Sequence, residues 1–94
     1  MALPEQIEAA AYYVVSEGLA NAYKHGGAEK VAIHLRTNSG ALTVEVLDDG
    51  IGGADEEGSG LRGLADRIEA LGGTLALESP PGRGTRLRAR LPLL

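Results

Sequence analysis

The sequence of 94 residues contains no cysteine, phenylalanine or tryptophan, and three tyrosines are its only aromatic residues. Without cysteine, disulfide bonds and thiolate metal sites are excluded. Aliphatic side chains and alanine must therefore fill the core. No apolar run reaches the roughly 20 residues that a membrane-spanning helix needs, and the first residues do not resemble a signal peptide. We expect a cytoplasmic protein, or the cytoplasmic part of a membrane-anchored one, without direct membrane contact.

Basic residues are fewer than acidic ones, 9 against 13, so the formal net charge is −4. A protein that binds nucleic acid through its phosphate backbone needs a basic surface, so that class is disfavoured. A single nucleotide needs only a few local groups and remains compatible with this charge. The length and the hydrophobic fraction of 44% predict one small domain over residues 1–94.

Hydrophobic periodicity predicts two helices and four strands. The first helix covers residues 4–25, with Pro4 in its first turn and Gly26-Gly27 as its C-cap. The second helix covers residues 60–71, after a glycine-rich acidic loop at 49–60. The strands cover residues 29–37, 41–48, 74–79 and 85–91, and the turns TNSGA and PPGRG join them in pairs.

Each predicted strand alternates between an apolar and a polar face. We expect all four apolar faces to meet the helices, and the polar faces to be open to water. Arg86, Arg88 and Arg90 lie on the open face, where Glu45 and Glu78 can pair with them. The sequence therefore predicts an α/β (α+β) two-layer sandwich, with helices on one face of a mixed, mostly antiparallel sheet and one crossover through the second helix.

Asp48 ends the second strand and shares the parity of its apolar residues. A carboxylate on an apolar face is costly unless it is paired or accepts hydrogen bonds. Two interpretations remain open. Asp48 caps a turn, or it lies at a pocket mouth and accepts a hydrogen bond from a ligand amine. In the second case Gly50 and Gly52 would let the ligand approach the backbone closely, and Asp49 would be the turn residue.

The first helix carries a polar stripe of Glu17, Asn21 and Lys24, with His25 beside it. The stripe borders the apolar arc instead of lying opposite to it. Side-chain oxygens of Glu17 and Asn21, one helical turn apart, could hold a water and a Mg²⁺ ion, which prefers oxygen ligands and keeps several waters and phosphates. An ordinary solvated helix face is the alternative.

Glycines lead into the second helix in the segment GSGLRGL, residues 58–64. Free N–H groups and the helix dipole favour phosphate at such a helix start. The segment is neither a dinucleotide fingerprint, which needs a parallel βαβ unit, nor a P-loop, which needs Gly-Lys-Ser/Thr. In the later segment GRGT, Thr85 shares parity with Leu87, so its hydroxyl is expected on the helix side unless GRGT is simply a turn.

Taken in order, EGLANAYKH on a helix, DDGIG after a strand, GSGLRGL and PGRGT resemble the ATP-binding catalytic domain of sensor histidine kinases. This domain belongs to the Bergerat-fold ATPases, with gyrase B, the MutL mismatch-repair proteins and heat-shock chaperones. NAYKHGGA and the ending LESPPGRGTRLRARLPLL are most similar to the nitrate-sensor group. The resemblance covers nearly the whole chain and implies a Bergerat fold that binds ATP and Mg²⁺.

The resemblance also implies roles for individual residues. Glu17, Asn21, Lys24 and His25 match the N box of the family. By this resemblance, Asn21 would bind Mg²⁺, Glu17 would orient a water or polarise the reacting group, and Lys24 would contact phosphate oxygens.

The other matching residues concern the base and the lid of the ATP site. Asp48 matches the aspartate that accepts a hydrogen bond from the adenine amine, and Thr85 matches a threonine at the adenine end. The glycines beside Asp48 shape that pocket, and residues 53–60 match the ATP lid. The second glycine box is matched by Gly58, Gly60, Leu61 and Gly63.

Kinases of this family carry a helical hairpin that dimerises and bears the phosphorylated histidine. No segment of this sequence can be that hairpin, and the strand that normally precedes the N-box helix is missing. We therefore expect an N-terminally truncated part of a larger kinase. It would bind ATP and Mg²⁺, meet the dimerisation domain and, indirectly, a response regulator, and would not autophosphorylate by itself.

Two alternatives use the same fold. An anti-sigma-factor-type serine kinase would bind and inhibit a protein, and the PGRGT ending argues against it. A non-catalytic module would have lost its site, whereas Asn21, Asp48 and both glycine boxes are intact.

Overall fold

The fold is one four-stranded sheet with helices on one of its faces. The computed structural model describes residues 3–25, 27–55 and 58–93, with the backbone alone for His25 and Ser59. The elements are α1 (Glu5–Ala20), a π-helical turn (Asn21–His25), β1 (Val31–Asn38), β2 (Ala41–Asp48), α2 (Ser59–Ala70), β3 (Thr74–Glu78) and β4 (Thr85–Pro92). The predicted strands and second helix are confirmed within two residues.

The first helix differs from its prediction at its C-terminal end. The α-helical part ends at Ala20, and residues Asn21–His25 continue as a π-helical turn, in which each hydrogen bond spans five residues instead of four. Ala22 stays fully buried, and its carbonyl accepts a hydrogen bond from Ala28 at 2.9 Å. A constant helical period cannot reveal such a local change. Gly26, half of the predicted C-cap, lies outside the described residues.

The sheet has the strand order β1-β2-β4-β3. All three pairings are antiparallel, so the predicted sheet is confirmed with a more uniform pairing than the mixed one expected. Because β4 returns between β2 and β3, the crossover through α2 joins two strands that are not neighbours. The register places Asp48 opposite Thr85, at the end of the sheet that the loop after β2 also reaches.

The core lies between the helices and the two central strands. Its fully buried side chains include Val14 of α1, Val44 of β2, Ile68 of α2 and Leu91 of β4. A Cβ atom at Gly18 would lie 2.7 Å from the side chain of Val46, so only glycine lets α1 approach β2 this closely. This close approach holds the last turns of α1 against the sheet, next to the residues of the polar stripe.

The prediction that all four apolar strand faces meet the helices is wrong for β1. Ile33 is 38% exposed and Leu35 is 57% exposed, although both share the face of the buried residues of β2. The physical reason is position, since β1 is an edge strand and α1 packs over β2 and β4 instead. Sequence alternation identified the apolar face but not whether a helix covers it.

The opposite face of the sheet is polar, as predicted, and Glu45 organises one part of it. Oε2 of Glu45 accepts a hydrogen bond from Nε of Arg86 at 2.6 Å, and Oε1 lies 3.6 Å from Nδ1 of His34. Glu78 is the second acidic neighbour of Arg86, at 3.9 Å. These side chains cover Glu45, which is only 8% exposed.

Candidate functional site

A cavity of about 460 Å³ lies between the end of α1, the loop after β2 and the first turn of α2. Its volume is within the range typical of small-molecule sites. Three segments that are distant in sequence contribute to it: Glu17, Ala20 and Asn21; Gly53, Ala54 and Asp55; Gly58, Gly60 and Leu61. The tertiary structure thus brings part of the N box together with the glycine-rich helix start.

Glu17 points at the start of α2. A Cβ atom at Gly60 would lie 2.6 Å from Oε2 of Glu17, closer than any normal contact. The carboxylate therefore occupies the space that a side chain at position 60 would need. Asn21, one turn further along, is half-buried at the first position of the π-helical turn. Both residues line the same cavity.

The N-terminus of α2 is a second feature of this cavity. Gly58 is the N-cap residue and makes no side-chain capping bond, and the first turn contains no acidic residue. The N–H of Gly58 donates to the carbonyl of Asp55 at 2.9 Å, which turns the chain into the helix. The positive end of the helix dipole and N–H groups of the first turn favour an anion here.

Asp48 is half-buried and lies outside the lining of this cavity. Its Oδ1 accepts a hydrogen bond from the N–H of Gly50 at 2.8 Å, as the turn interpretation predicts. Oδ2 has no donor among the described residues. Asp48 borders a separate, more open depression of about 670 Å³, together with Tyr23, Lys30 and Leu47. Asp48 is therefore a turn residue through one oxygen, and its other oxygen makes no hydrogen bond with the described residues.

Ser79 is a residue of the site region that sequence reasoning missed. Its hydroxyl lies 2.6 Å from Oγ1 of Thr85 and accepts a hydrogen bond from the N–H of Ala54 at 2.8 Å. Its carbonyl accepts from the N–H of Gly53 at 2.7 Å. Ser79 thereby ties the loop after β2 to Thr85, which is only 8% exposed. Its position before Pro80-Pro81 is the only signal in the sequence.

The remaining predicted site residues have different surroundings. Lys24 is exposed on the π-helical turn and does not line the cavity, and the side chain of His25 lies outside the described residues. Gly50 is half-buried. Gly52 has a positive φ of 69°, and a Cβ atom there would collide with the carbonyl of Pro80, so its missing side chain serves packing of the loop.

The second glycine box is divided by the structure. Gly58, Gly60 and Leu61 line the cavity, whereas Gly63 is exposed and a Cβ atom there would have no neighbour within 4 Å. Residues 53–60 were expected to form the lid; of these, 53–55 border the cavity, and positions 56 and 57 lie outside the described residues.

Asp49 stabilises the entry into β1. Its Oδ1 accepts hydrogen bonds from the N–H groups of Lys30 and Glu29, at 3.0 and 2.9 Å. The bond from Lys30 is the main reason why the pKa of Asp49 lies below its usual value of 3.8. Asp49 is therefore a structural turn residue, as the sequence analysis expected.

Among the described residues, no group of three or more His, Cys, Asp or Glu side chains is arranged to hold a metal ion. The oxygen donors at the cavity are those of Glu17, Asn21 and Asp55. They fit an ion such as Mg²⁺, which is usually bound through few protein oxygens together with waters and substrate phosphates. In the same part of the chain, no helix is long and apolar enough to cross a membrane.

The family model of histidine kinase-, DNA gyrase B- and HSP90-like ATPases matches residues 6–94. The chain belongs to this family. As a family member, it has relatives among sensor kinases. It is 36% identical over 93 residues to the oxygen sensor histidine kinase NreB of Staphylococcus carnosus. It is 38% identical over 90 residues to the nitrate/nitrite sensor protein NarQ of Escherichia coli.

These matches include 94% of this chain but 27% of NreB, and 90% of this chain but 16% of NarQ. The chain thus spans about a quarter or less of these two relatives. The predicted resemblance to ATP-binding domains of nitrate-sensor-like histidine kinases is confirmed.

Solved structures of the same ATPase family agree with the fold. The histidine kinase domain of the blue-light-activated kinase EL346 from Erythrobacter litoralis gives a TM-score of 0.79 at 28% identity, over 96% of this chain and 46% of that one. The ATP-binding domain of PrrB from Mycobacterium tuberculosis gives 0.75 at 32% identity, over 92% and 68%. The predicted two-layer Bergerat fold is confirmed.

Proposed function

We propose that the chain binds ATP with Mg²⁺ and that, within a longer sensor kinase, it presents the γ-phosphate to a histidine of the dimerisation domain. One observation carries this proposal. In a chain of this ATPase family, one cavity collects Glu17 and Asn21 with the glycine-rich N-terminus of α2. Oxygen donors on one side and a positive helix end on the other suit a metal-bound phosphate chain.

The residues of the cavity divide this work. The N–H groups at the start of α2, from Gly58 to Leu61, would donate hydrogen bonds to phosphate oxygens, and the positive end of the helix dipole would strengthen these bonds. Mg²⁺, when bound, neutralises phosphate charge, and the side-chain oxygen of Asn21 would hold it. Glu17 lies close enough to the helix start to orient a water or the attacking group. The exposed Lys24 would reach phosphate from the rim.

At the other end of the site, Asp48 would read the base. Its Oδ1 is fixed by the N–H of Gly50, which orients the carboxylate and leaves Oδ2 to accept a hydrogen bond from the exocyclic amine of adenine. Thr85 lies opposite Asp48 in the register, and its hydroxyl is held by Ser79. Adenine has an amine where guanine has a carbonyl, so a carboxylate at this point favours ATP over GTP.

Base selection provides the sharpest test of Asp48. We expect Asp48→Asn to weaken ATP binding by about tenfold and to reduce the preference for ATP over GTP, since an amide can also donate to the guanine carbonyl. Isothermal titration calorimetry with non-hydrolysable analogues of both nucleotides, with Mg²⁺, measures this. Asp49→Asn is the matched control, because Asp49 lies next in sequence and its Oδ1 accepts hydrogen bonds from the N–H groups of Glu29 and Lys30 at the entry into β1. Equal nucleotide preference in both variants would remove Asp48 from the site.

The phosphoryl transfer itself depends on positioning and charge neutralisation, and the nucleophile must come from a partner. Described residues that line the cavity include no histidine. His34 is on the open face of the sheet, beside Glu45 and across the sheet from the helices. The response regulator would be reached only through the dimerisation domain, in the cytoplasm, without contact with membrane or nucleic acid.

This arrangement predicts that the isolated chain binds ATP but does not label itself. After incubation with γ-labelled ATP and Mg²⁺, we expect no acid-labile phosphate on His25 or His34, detected by gel autoradiography and mass spectrometry. As a positive control, the same incubation is repeated with a purified dimerisation domain from a related kinase, which supplies the histidine to be labelled. Stable label on either histidine of the chain alone would contradict the proposal.

A further inference from the structure

A second cavity lies on the open face of the sheet, away from the helices and the ATP cavity. It has a volume of about 290 Å³, and the described residues that line it include no acidic one. All four strands of the sheet contribute to the lining, which consists of Arg36, Thr43, Thr74, Ala76, Arg88 and Arg90. The lining therefore consists of three arginines, two threonines and one alanine.

The sheet register explains how these side chains come together. Arg36, Thr43, Arg90 and Thr74 are consecutive partners across β1, β2, β4 and β3, so they form one row. Neighbouring strands are about 4.8 Å apart, which puts one arginine on each side of Thr43, Arg36 on β1 and Arg90 on β4. Arg88 is two residues from Arg90 on the same face of β4. Long guanidinium side chains can reach a common point from these positions.

The acidic residues of this face are engaged elsewhere. Both oxygens of Glu45 face other groups, Arg86 and His34, and Glu78 lies nearest to Arg86 as well. Within residues 3–25, 27–55 and 58–93, the side chains of Arg36, Arg88 and Arg90 have no hydrogen bond or ion pair. A chain with a net charge of −4 therefore holds a local concentration of three positive charges, of which that of Arg88 is partly balanced by Glu45, its partner across the sheet.

We propose that this arginine cavity binds a phosphate group. Guanidinium groups match phosphate with two parallel hydrogen bonds each, and the threonine hydroxyls can donate to further oxygens. The lining offers no aromatic or large apolar residue to anchor a base or a peptide. The neighbouring Glu45 and the negative net charge disfavour an extended polyanion. A compact phosphate, free or on a lipid headgroup, has the chemistry that this site recognises.

The site does not depend on the proposed ATP function, and its test can be separated from it. The isotope-labelled chain is titrated with sodium pyrophosphate in the absence of Mg²⁺, and amide shifts are followed by NMR. We expect saturable shifts at Thr43, Thr74 and Arg90, on the open face. The double variant Arg88→Gln/Arg90→Gln should bind at least about tenfold more weakly at these residues, because it loses two charge-assisted contacts.

Matched variants separate a built site from general charge attraction. Lys30→Gln/Arg83→Gln removes the same charge away from the cavity and should leave the affinity within about twofold of the wild type. Arg90→Lys keeps the charge but loses the planar fork, so its affinity should lie between those of the wild type and the double variant. All substituted side chains are exposed, and an unchanged spectrum elsewhere shows that the fold is retained.

Three results of the pyrophosphate titration would overturn the proposal. The first is a linear, unsaturable shift on the open face. The second is an equal loss of affinity in both double variants. The third is saturable binding confined to residues 58–61, at the start of α2.

A second experiment measures binding of the chain to vesicles of phosphatidylcholine with and without phosphatidic acid. Binding of both pyrophosphate and the acidic vesicles identifies a site open to lipid phosphates, and pyrophosphate alone identifies a site for soluble ones. Vesicle binding without pyrophosphate binding also contradicts a phosphate pocket.

Discussion

Gly60 and Gly63 are exposed positions of the same helix, but they have different surroundings. A Cβ atom at Gly60 would lie 2.6 Å from Oε2 of Glu17, whereas one at Gly63 would meet no atom within 4 Å. The atom that Gly60 faces is the end of a flexible side chain, which can move at small cost. The absence of a side chain at position 60 therefore matters for the site more than for the fold.

This pair of glycines gives a prediction with a built-in control. Gly63→Ala should raise the free energy of unfolding by about 0.5–1 kcal/mol, because alanine is the better helix former. Gly60→Ala should leave the stability near or above that of the wild type but weaken binding of ATP with Mg²⁺ by about tenfold, since Glu17 is displaced and the helix start is narrowed. Urea unfolding and calorimetry measure the two quantities. Equal nucleotide affinity in both variants would show that position 60 does not face the phosphates.

Ser79 shows how far single residues can be read from sequence. Asp48 and Thr85 attracted attention because strand parity placed a carboxylate and a hydroxyl on the helix side. Ser79 has no such signal, because it follows the end of β3 and precedes two prolines. Its three hydrogen-bonding partners come from β4 and from the loop after β2. Only the packing of two loops against each other gives it a role.

At the scale of elements, β1 is the strand whose alternation gave the wrong burial. Its apolar residues face the helix side, but α1 covers the central strands, and Leu35 remains 57% exposed while Leu91 of β4 is fully buried. Both leucines lie on the face of the sheet that the helices occupy. Their difference is the position of their strands in the sheet, which local sequence does not contain.

Truncation of these two leucines should therefore have unequal effects. We expect Leu91→Ala to lower the free energy of unfolding by about 2–5 kcal/mol, because it leaves a cavity in the core. Leu35→Ala should cost less than about 1 kcal/mol, because much of its side chain is already in water. Urea denaturation with a circular dichroism readout compares them. Similar losses for both variants would mean that β1 is covered in solution, for example by another copy of the chain.

The π-helical turn is the second element that periodicity could not supply. The sequence pattern continued as one helix to residue 25, and the composition of NAYKH does not distinguish an α-helix from a π-helix. The structure changes the period at Asn21, directly after the last α-helical turn that carries Glu17. Single π-helical turns occur frequently at functional sites, where they redirect side chains.

At the scale of the whole molecule, the two faces of the sheet are stabilised differently. The helix side is aliphatic, and the open side depends on charge pairs around Glu45. Burial of the Glu45 carboxyl raises its pKa, but the hydrogen bond from Arg86 and the positive charges of Arg86, Arg88 and His34 outweigh it, so the pKa is lowered from 4.5. The folded state therefore favours the ionised carboxylate relative to the unfolded chain.

A pH dependence of stability follows from this direction. The contribution of Glu45 should be complete above its unfolded pKa of 4.5 and be lost as the pH falls through the lower folded value. We expect Glu45→Gln to lower the free energy of unfolding by about 1.5 kcal/mol near neutral pH and by much less at about pH 3. Urea unfolding of the wild type and of Glu45→Gln at several pH values measures this difference in free energy.

Glu78→Gln is the matched control for this measurement. Glu78 faces the same arginine but is largely exposed, with its oxygen 3.9 Å from Arg86, so its loss should cost less than about 0.5 kcal/mol at any pH. If the difference in free energy of unfolding between the wild type and Glu45→Gln does not change with pH, Glu45 stabilises the fold through packing and not through its charge.

The sequence by itself determined the four strands, the second helix, the two-layer arrangement and the family, because these depend on local periodicity and on the order of short motifs. It also identified most residues that line the 460 Å³ cavity, since Glu17, Asn21, Gly58, Gly60 and Leu61 all belong to such motifs.

Only the tertiary structure decided which apolar face stays exposed, which glycine faces Glu17, how Ser79 joins Thr85 to the loop, and that three arginines share one cavity. Each of these depends on strand order and on contacts between distant segments. Such contacts follow from the packing of the whole chain and leave no local pattern in the sequence.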